Sequence, residues 1–165
     1  MSAVPDRIEK KTTLRAPVSR VWRAISDARE FGTWFGVDFD GPFVAGARIK
    51  GRITPTKVDP EVAKLQEPHR GMVFEVAVDR IEPERLFSFR WLPFEVQPGV
   101  DPWKELATLV VFELAEVQGG TQLTISESGF HRIPLERRAQ AFTQNEGGWE
   151  HQLRLVEKYL LRQEA

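Results

Sequence analysis

One carboxylate and one histidine carry most of the chemistry open to this 165-residue chain. Glu127 alternates with Leu123 and Ile125 along Thr121 to Ser128, so strand parity turns it to the apolar face while Gln122, Thr124 and Ser126 point outward. A carboxylate in an apolar cavity can serve as general acid or base, or can orient a ligand hydroxyl; at a strand end already in water it is only a surface group. His131 follows Phe130 just after that strand, where it either reaches a cavity rim or belongs to a turn. His151 lies about 200° round a helix from Trp149, and His69 sits in a loop beside Pro68, so both are expected in solvent. No two of the three histidines have metal-ligand spacing, and no metal site is expected. Without cysteine there is no thiol nucleophile, disulfide or thiolate site. No nucleophile–base pair is visible, so no catalytic residue is assigned.

The totals bound the remaining options. Lys plus Arg (23) nearly cancels Asp plus Glu (24), and neither sign runs in blocks, so nucleic acid is not an expected partner. No stretch approaches the ~20 apolar residues of a membrane span, and Met1 to Asp6 lacks a basic segment followed by an apolar run. A cytoplasmic protein without membrane insertion is the expectation. The length suits one well-buried domain over residues 1–165, with 1–6 as a flexible start. No G-x-G-x-x-G, P-loop or G-x-S-x-G occurs, and no cofactor is expected.

The elements that must position Glu127 follow from periodicity. Arg7 to Arg15 is a first strand with Ile8 and Leu14 as its apolar points. Pro17 suits a first helical position, and Val18, Val21, Trp22 and Ile25 recur at helical spacing. Asp27 and Glu30 have the form of a capping box for a second short helix, whose Phe31, Trp34 and Phe35 make an aromatic ridge. From Gly36 to Gly46 only turns are expected, then a half-buried strand from Ala47 to Ile53 with a basic outer face. Three prolines between Thr54 and Arg70 predict a mobile loop insertion, in which Val62 and Leu65 support at most one helical turn. Met72 to Ile81 puts Phe74, Val76 and Val78 on one face, and Leu86 to Trp91 does the same with Phe87, Phe89 and Trp91. Pro93 to Trp103 is a second loop. Glu105 to Val117 then turns Thr108, Val110, Phe112 and Leu114 inward, and Gly119-Gly120 leads into the strand of Glu127.

The chain ends in a long helix from about Pro134 to Arg162. At about 100° per residue Trp149, Leu153, Val156 and Leu160 share an arc of roughly 60°. Gly147-Gly148 within it predicts a kink or a close backbone approach. The order of elements is α+β: a curved antiparallel sheet of about seven strands gripping a long C-terminal helix, with two short helices after strand one.

Several stretches carry a family resemblance. Thr13-Leu14-Arg15-Ala16-Pro17, Val21-Trp22-Arg23-Ala24 and Glu30-Phe31-Gly32-Thr33-Trp34-Phe35-Gly36 resemble the opening of the START-like (SRPBCC) superfamily, the birch-pollen-allergen helix-grip fold. Arg85 to Trp91, Gly119 to Thr124, Glu127-Ser128-Gly129-Phe130 and Asn145-Glu146-Gly147-Gly148-Trp149 are similar to its branch homologous to activators of the 90-kDa heat-shock chaperone ATPase. The resemblance runs from about Ile8 to Leu161. It implies a seven-strand sheet wrapped round the last helix and an apolar cavity between them. Members of the superfamily bind lipids, sterols or polyketides, and some catalyse cyclisation or hydrolysis. Chaperone activators carry an additional N-terminal domain for their principal contacts, for which 165 residues leave no room.

The expected function is binding of a small apolar or aromatic molecule, lipid-like or polyketide-like, without catalysis. Its expected lining is Trp34, Phe74, Phe89, Trp91, Phe112, Ile125, Glu127, Trp149 and Leu153. The alternatives are a cyclase- or hydrolase-type enzyme using Glu127 or His131, and a co-chaperone-like module that contacts a protein. Convergent polar groups in the cavity would favour the enzyme, and a large exposed apolar patch would favour the protein-binding module.

Overall fold

The computed structural model describes residues 7–91, 107–130 and 135–163. Seven antiparallel strands form one sheet in the order β1-β7-β6-β5-β4-β3-β2. They are β1 (Arg7–Leu14), β2 (Val37–Phe39), β3 (Arg48–Ile53), β4 (Val73–Glu82), β5 (Leu86–Trp91), β6 (Thr108–Val117) and β7 (Gly120–Ser128). Among the described residues four α-helices accompany them: α1 (Val18–Ser26), α2 (Ala28–Phe35), α3 (Pro60–Gln66) and the 29-residue α4 (Leu135–Gln163). The expected α+β helix-grip architecture is the one observed. The segments 1–6 and Pro93 to Trp103, and the residue His131, lie outside the described residues.

Register fixes which side chains meet α4. Ile8, Glu127 and Val110 stand directly opposite one another across β1, β7 and β6, and all three are buried. Phe112 opposes Ile125, and Phe89 opposes Val110, so the inner face is continuous across the middle of the sheet. A bulge between Val78 and Arg80 interrupts β4; there Ser88 Oγ accepts from Arg80 N and donates to Asp79 Oδ2, 3.1 and 3.0 Å away. Such an irregularity bends the strand and helps the sheet curl over the helix. From α4, Trp149, Leu155, Val156, Tyr159 and Leu160 are buried and Leu153 is half-buried, while His151 is exposed. The apolar stripe therefore has the orientation its spacing predicts.

The α1–α2 pair closes one end. Pro17 is the residue before α1 rather than its first, and Asp27 caps α2 by accepting from Arg29 N and Glu30 N at 3.0 Å. Glu30 does not return the bond as a capping box would; its carboxylate is taken by Arg20, Arg23 and Tyr159. Gly36 ends α2 in the left-handed region at φ 96°, where glycine is favoured. At Gly32 a Cβ would lie 2.0 Å from the Val37 carbonyl oxygen, so only glycine lets β2 approach α2 this closely.

Three expectations are corrected. Val37–Phe39 pairs with β3 as a seventh strand where only turns were expected; three residues are too few for a periodic signal. Thr54 to Arg70 is not a loop: Asp59 caps α3 by accepting from Glu61 N and Val62 N, and Pro60 occupies its first turn, where the missing N–H costs nothing. Val62 packs on the core while Leu65 is 68% exposed, so the two do not share an anchor. Finally, α4 runs unbroken through Gly147-Gly148, and a Cβ at either would meet nothing within 4 Å. Nothing in the structure explains the glycine pair.

Candidate functional site

Where β5, β6 and β7 pass under α4, four neutral donors converge on one buried carboxylate. Glu127 is 0% exposed. Its Oε1 accepts from Trp149 Nε1 at 2.9 Å and from Asn145 Nδ2 at 3.0 Å. Its Oε2 accepts from Trp91 Nε1 at 2.8 Å, Thr108 Oγ1 at 2.5 Å and the same Asn145 nitrogen at 3.0 Å. Secondary structure dictates the arrangement. Trp91 and Thr108 are paired across β5 and β6, with Glu127 one diagonal step away on β7. Asn145 and Trp149, four apart, present one face of α4 a turn apart.

A carboxylate offers about four lone-pair positions, and these four groups take them. Both indole nitrogens can only donate, so the surroundings suit a side chain that only accepts. Among the described residues none forms an ion pair with Glu127; a buried charge without a cation is costly and persists only when fully hydrogen-bonded. The saturated carboxylate has no lone pair left to remove a proton from a substrate unless a donor first moves away.

Aromatic rings surround this polar point. Trp91 and Trp149 stack at 5.4 Å and 24°. Phe112 meets Trp149 edge-on at 5.8 Å, and Phe89 meets Trp91 at 5.4 Å. Beyond Trp91 a crevice is lined by Phe31, Phe35, Phe39, Phe43, Val76, Phe89 and Trp91. Its free volume is about 10 Å³, room for about one water at most and far below the ~300 Å³ of a ligand pocket. The filler is the α2 ridge: Phe31 lies within 4.8 to 6.4 Å of seven other aromatic rings. The apolar space expected between sheet and helix is thus occupied by the chain's own side chains. Phe35, Phe39, Phe43 and Trp91 are only partly buried, so the crevice reaches the surface.

Of the residues expected to line a cavity, Phe89, Trp91, Phe112, Glu127 and Trp149 are brought together. Ile125 is buried two residues from Glu127 on the same face, and Leu153 is half-buried one turn beyond Trp149. Phe74 lies in β4 opposite Gly51, with its side chain outside the described residues, as is that of Phe142. Trp34 stands apart, its Nε1 donating to the Ala24 carbonyl at 2.9 Å and tying α2 to α1. Sequence reasoning did not include Asn145 or Thr108 as partners of Glu127, nor Phe31, Phe39 and Phe43 as crevice walls. The spacing of Asn145 and Trp149 was the available signal for the first.

A wider depression, about 600 Å³, lies elsewhere, along α2 and β2, and its walls include Asp27, Arg29, Asp38, Asp40 and Lys57. Asp27 is engaged as a helix cap and Asp40 by Arg52 at 3.1 Å, and Glu127 is not among the residues that line this groove. Among the described residues, no cluster of His, Asp or Glu is placed to hold a metal ion, and no helix is long and apolar enough to cross a membrane.

Comparison with known proteins agrees with this fold. DynU16, a protein of the dynemicin biosynthetic locus, is 25% identical with a TM-score of 0.66; the match covers 95% of this chain but 48% of that one, so this chain spans about half its length. Protein MLL2253 from Mesorhizobium loti is 20% identical over 94% of this chain and 97% of its own, with a TM-score of 0.69. The Aha1 dimer from Colwellia psychrerythraea is 16% identical over 92% of each chain, with a TM-score of 0.64. No functionally curated protein matches. The family model for activator of Hsp90 ATPase homolog 1-like proteins matches residues 15–160, nearly the whole chain, and the chain belongs to that family.

Proposed function

We propose that this protein binds a small apolar or aromatic molecule between the sheet and α4, without transforming it, and that the ligand enters through the crevice bounded by Phe35, Phe39, Phe43 and Trp91. The observation that carries this is the crevice itself: an apolar wall that reaches the surface and includes Trp91, whose indole N–H is bonded to the buried acceptor Glu127. Binding requires the rings to part, since the resting volume is about 10 Å³. Burying ~200 Å² of ligand at ~25 cal/mol per Å² gains about 5 kcal/mol, from which ordering and the displacement of a ring subtract, so micromolar or weaker affinity is expected.

In this reading Glu127 is an anchor: it accepts a ligand donor when Trp91 withdraws its N–H, while Thr108, Asn145 and Trp149 keep the rest of the carboxylate engaged. Native mass spectrometry of protein purified without denaturation, with tryptophan fluorescence across a panel of hydrophobic ligands, tests the proposal. Retained ligand, or a saturable fluorescence change, is the expected result. No adduct and no change with any ligand would overturn it in favour of protein contact.

A further inference from the structure

The two tryptophans on Glu127 are not equivalent. Trp149 is 2% exposed, fixed on the buried face of α4. Trp91 ends β5, is half-buried, and lines the crevice with its ring between Phe35 and Phe89, at 6.0 and 5.4 Å. It presents a flat aromatic surface to Trp149 and a single N–H to Glu127 Oε2. We propose that Trp91 occupies the ligand's place in this structure, and that the site selects aromatic molecules bearing one hydrogen-bond donor, a phenol or an N–H heteroaromatic, which stack on Trp149 and give that donor to Glu127. This rests on the small-molecule reading above and names the class of ligand.

The argument is one of replacement. For a ligand to enter, a ring at the crevice wall must leave, and Trp91 is the wall residue bonded to the carboxylate. When its N–H goes, Oε2 keeps Thr108 and a share of Asn145 but loses one donor inside an apolar enclosure. A purely hydrocarbon ligand would leave that deficit open; a ligand with a hydroxyl or N–H at the indole's position closes it. The expected preference for a donor-bearing over a donorless ring of equal size is on the order of tenfold to hundredfold.

The test is paired titration with 2-naphthol and naphthalene, read by fluorescence and by the indole ¹⁵N–H resonances, with Trp91→Phe identifying the Trp91 signal. In the wild type, 2-naphthol is expected to bind at least tenfold more tightly, moving the Trp91 indole resonance to a solvent-exchanging position while that of Trp149 stays protected. Trp91→Phe, which keeps a ring but removes its donor, should raise 2-naphthol affinity relative to naphthalene; Glu127→Gln, if folded, should abolish the preference. Equal binding of both probes in the wild type and in Trp91→Phe would overturn the donor selection while leaving small-molecule binding intact. Binding of neither would overturn both.

Discussion

Glu127 and Glu30 both hold α4 to the rest of the molecule, and they do so by opposite means. Glu127 meets the first half of the helix, through Asn145 and Trp149, in complete burial and, among the described residues, with neutral donors only. Glu30 meets the second half, ten residues on or ~15 Å along the axis, through Tyr159 at 2.7 Å. Its other partners are cations, Arg20 at 2.9 Å and Arg23 at 2.8 Å, and its side chain is 20% exposed. The Glu30 cluster is compensated charge near water, which a fold uses to dock helices and which is individually weak. The Glu127 cluster is a buried carboxylate that, among the described residues, has no cation beside it and is stable only while its donors stay in place. The first can lose a member and be patched by solvent; the second cannot, unless something else supplies the missing donor.

That contrast is sharpest under substitution. Trp149→Ala removes a ring packed on Trp91 and Phe112 together with a donor to Glu127, and should cost about 3–5 kcal/mol in chemical unfolding. A loss below about 1 kcal/mol would mean that α4 is not held at this point. Glu127→Gln comes next: its amide NH₂ would face an indole N–H, which can only donate, whichever way it turned, for a loss of about 2–3 kcal/mol. The matching change Glu30→Gln should cost about 1 kcal/mol or less, because water reaches the site. Equal losses at the two glutamates would break the distinction.

The Glu30 side also has a pH signature. Burial of the Tyr159 ring, and then its hydrogen bond to Glu30, raise its phenol above the ordinary value of 10.0. A group whose folded pKa is raised contributes stability that is fully present below the unfolded value and is lost as pH rises through the folded one. Stability should therefore fall as pH climbs from about 10, and Tyr159→Phe should remove that part of the decline. Thermal unfolding between pH 8 and 11 measures it; identical alkaline profiles for the two proteins would show that Tyr159 is not linked to folding.

How legible these clusters were in sequence follows from their chemistry. Strand alternation reports the face of a residue, so Glu127 could be placed inward with Ile125, and Phe89, Trp91 and Phe112 with it. Which donors would reach the carboxylate depends on register between β5, β6 and β7 and on the rotation of α4, and neither is periodic information. Asn145 and Thr108 therefore stayed hidden although their faces were readable. The fullness of the interior was hidden for another reason: an aromatic ridge such as Phe31, Trp34 and Phe35 identifies a buried face but not the volume it fills. The misread of α3 was avoidable, since Asp59-Pro60-Glu61 is a cap, a first-turn proline and a first-turn acid in succession.

The smallest effect belongs to that helix, and it extends the comparison to a third contact with α4. Lys158 Nζ reaches Asp59 Oδ2 at 2.5 Å, and Gln66 bridges the Phe35 carbonyl at 3.1 Å and Thr56 N at 2.7 Å. No residue of α3 is fully buried, so these polar clips and the half-buried Val58 and Val62 hold it beside Phe35, one wall of the crevice. The hydrogen bond from Lys158 and the helix-cap bonds hold the Asp59 carboxyl below its ordinary value of 3.8. A lowered pKa gives stability that is present above the unfolded value and lost as pH falls through the folded one, so the docking should persist at neutral pH and loosen below about pH 4. Lys158→Ala should leave global unfolding within error, as exposed pairs usually do, yet speed amide exchange across residues 60–66 at pH 7 toward its acid-loosened rate. If exchange there is unchanged, the pair does not restrain α3, and Gln66 with the valines holds it unaided. If exchange rises while 2-naphthol binds faster, α3 governs how readily the crevice opens, and a contact that does not touch Glu127 sets the rate at which a ligand reaches it.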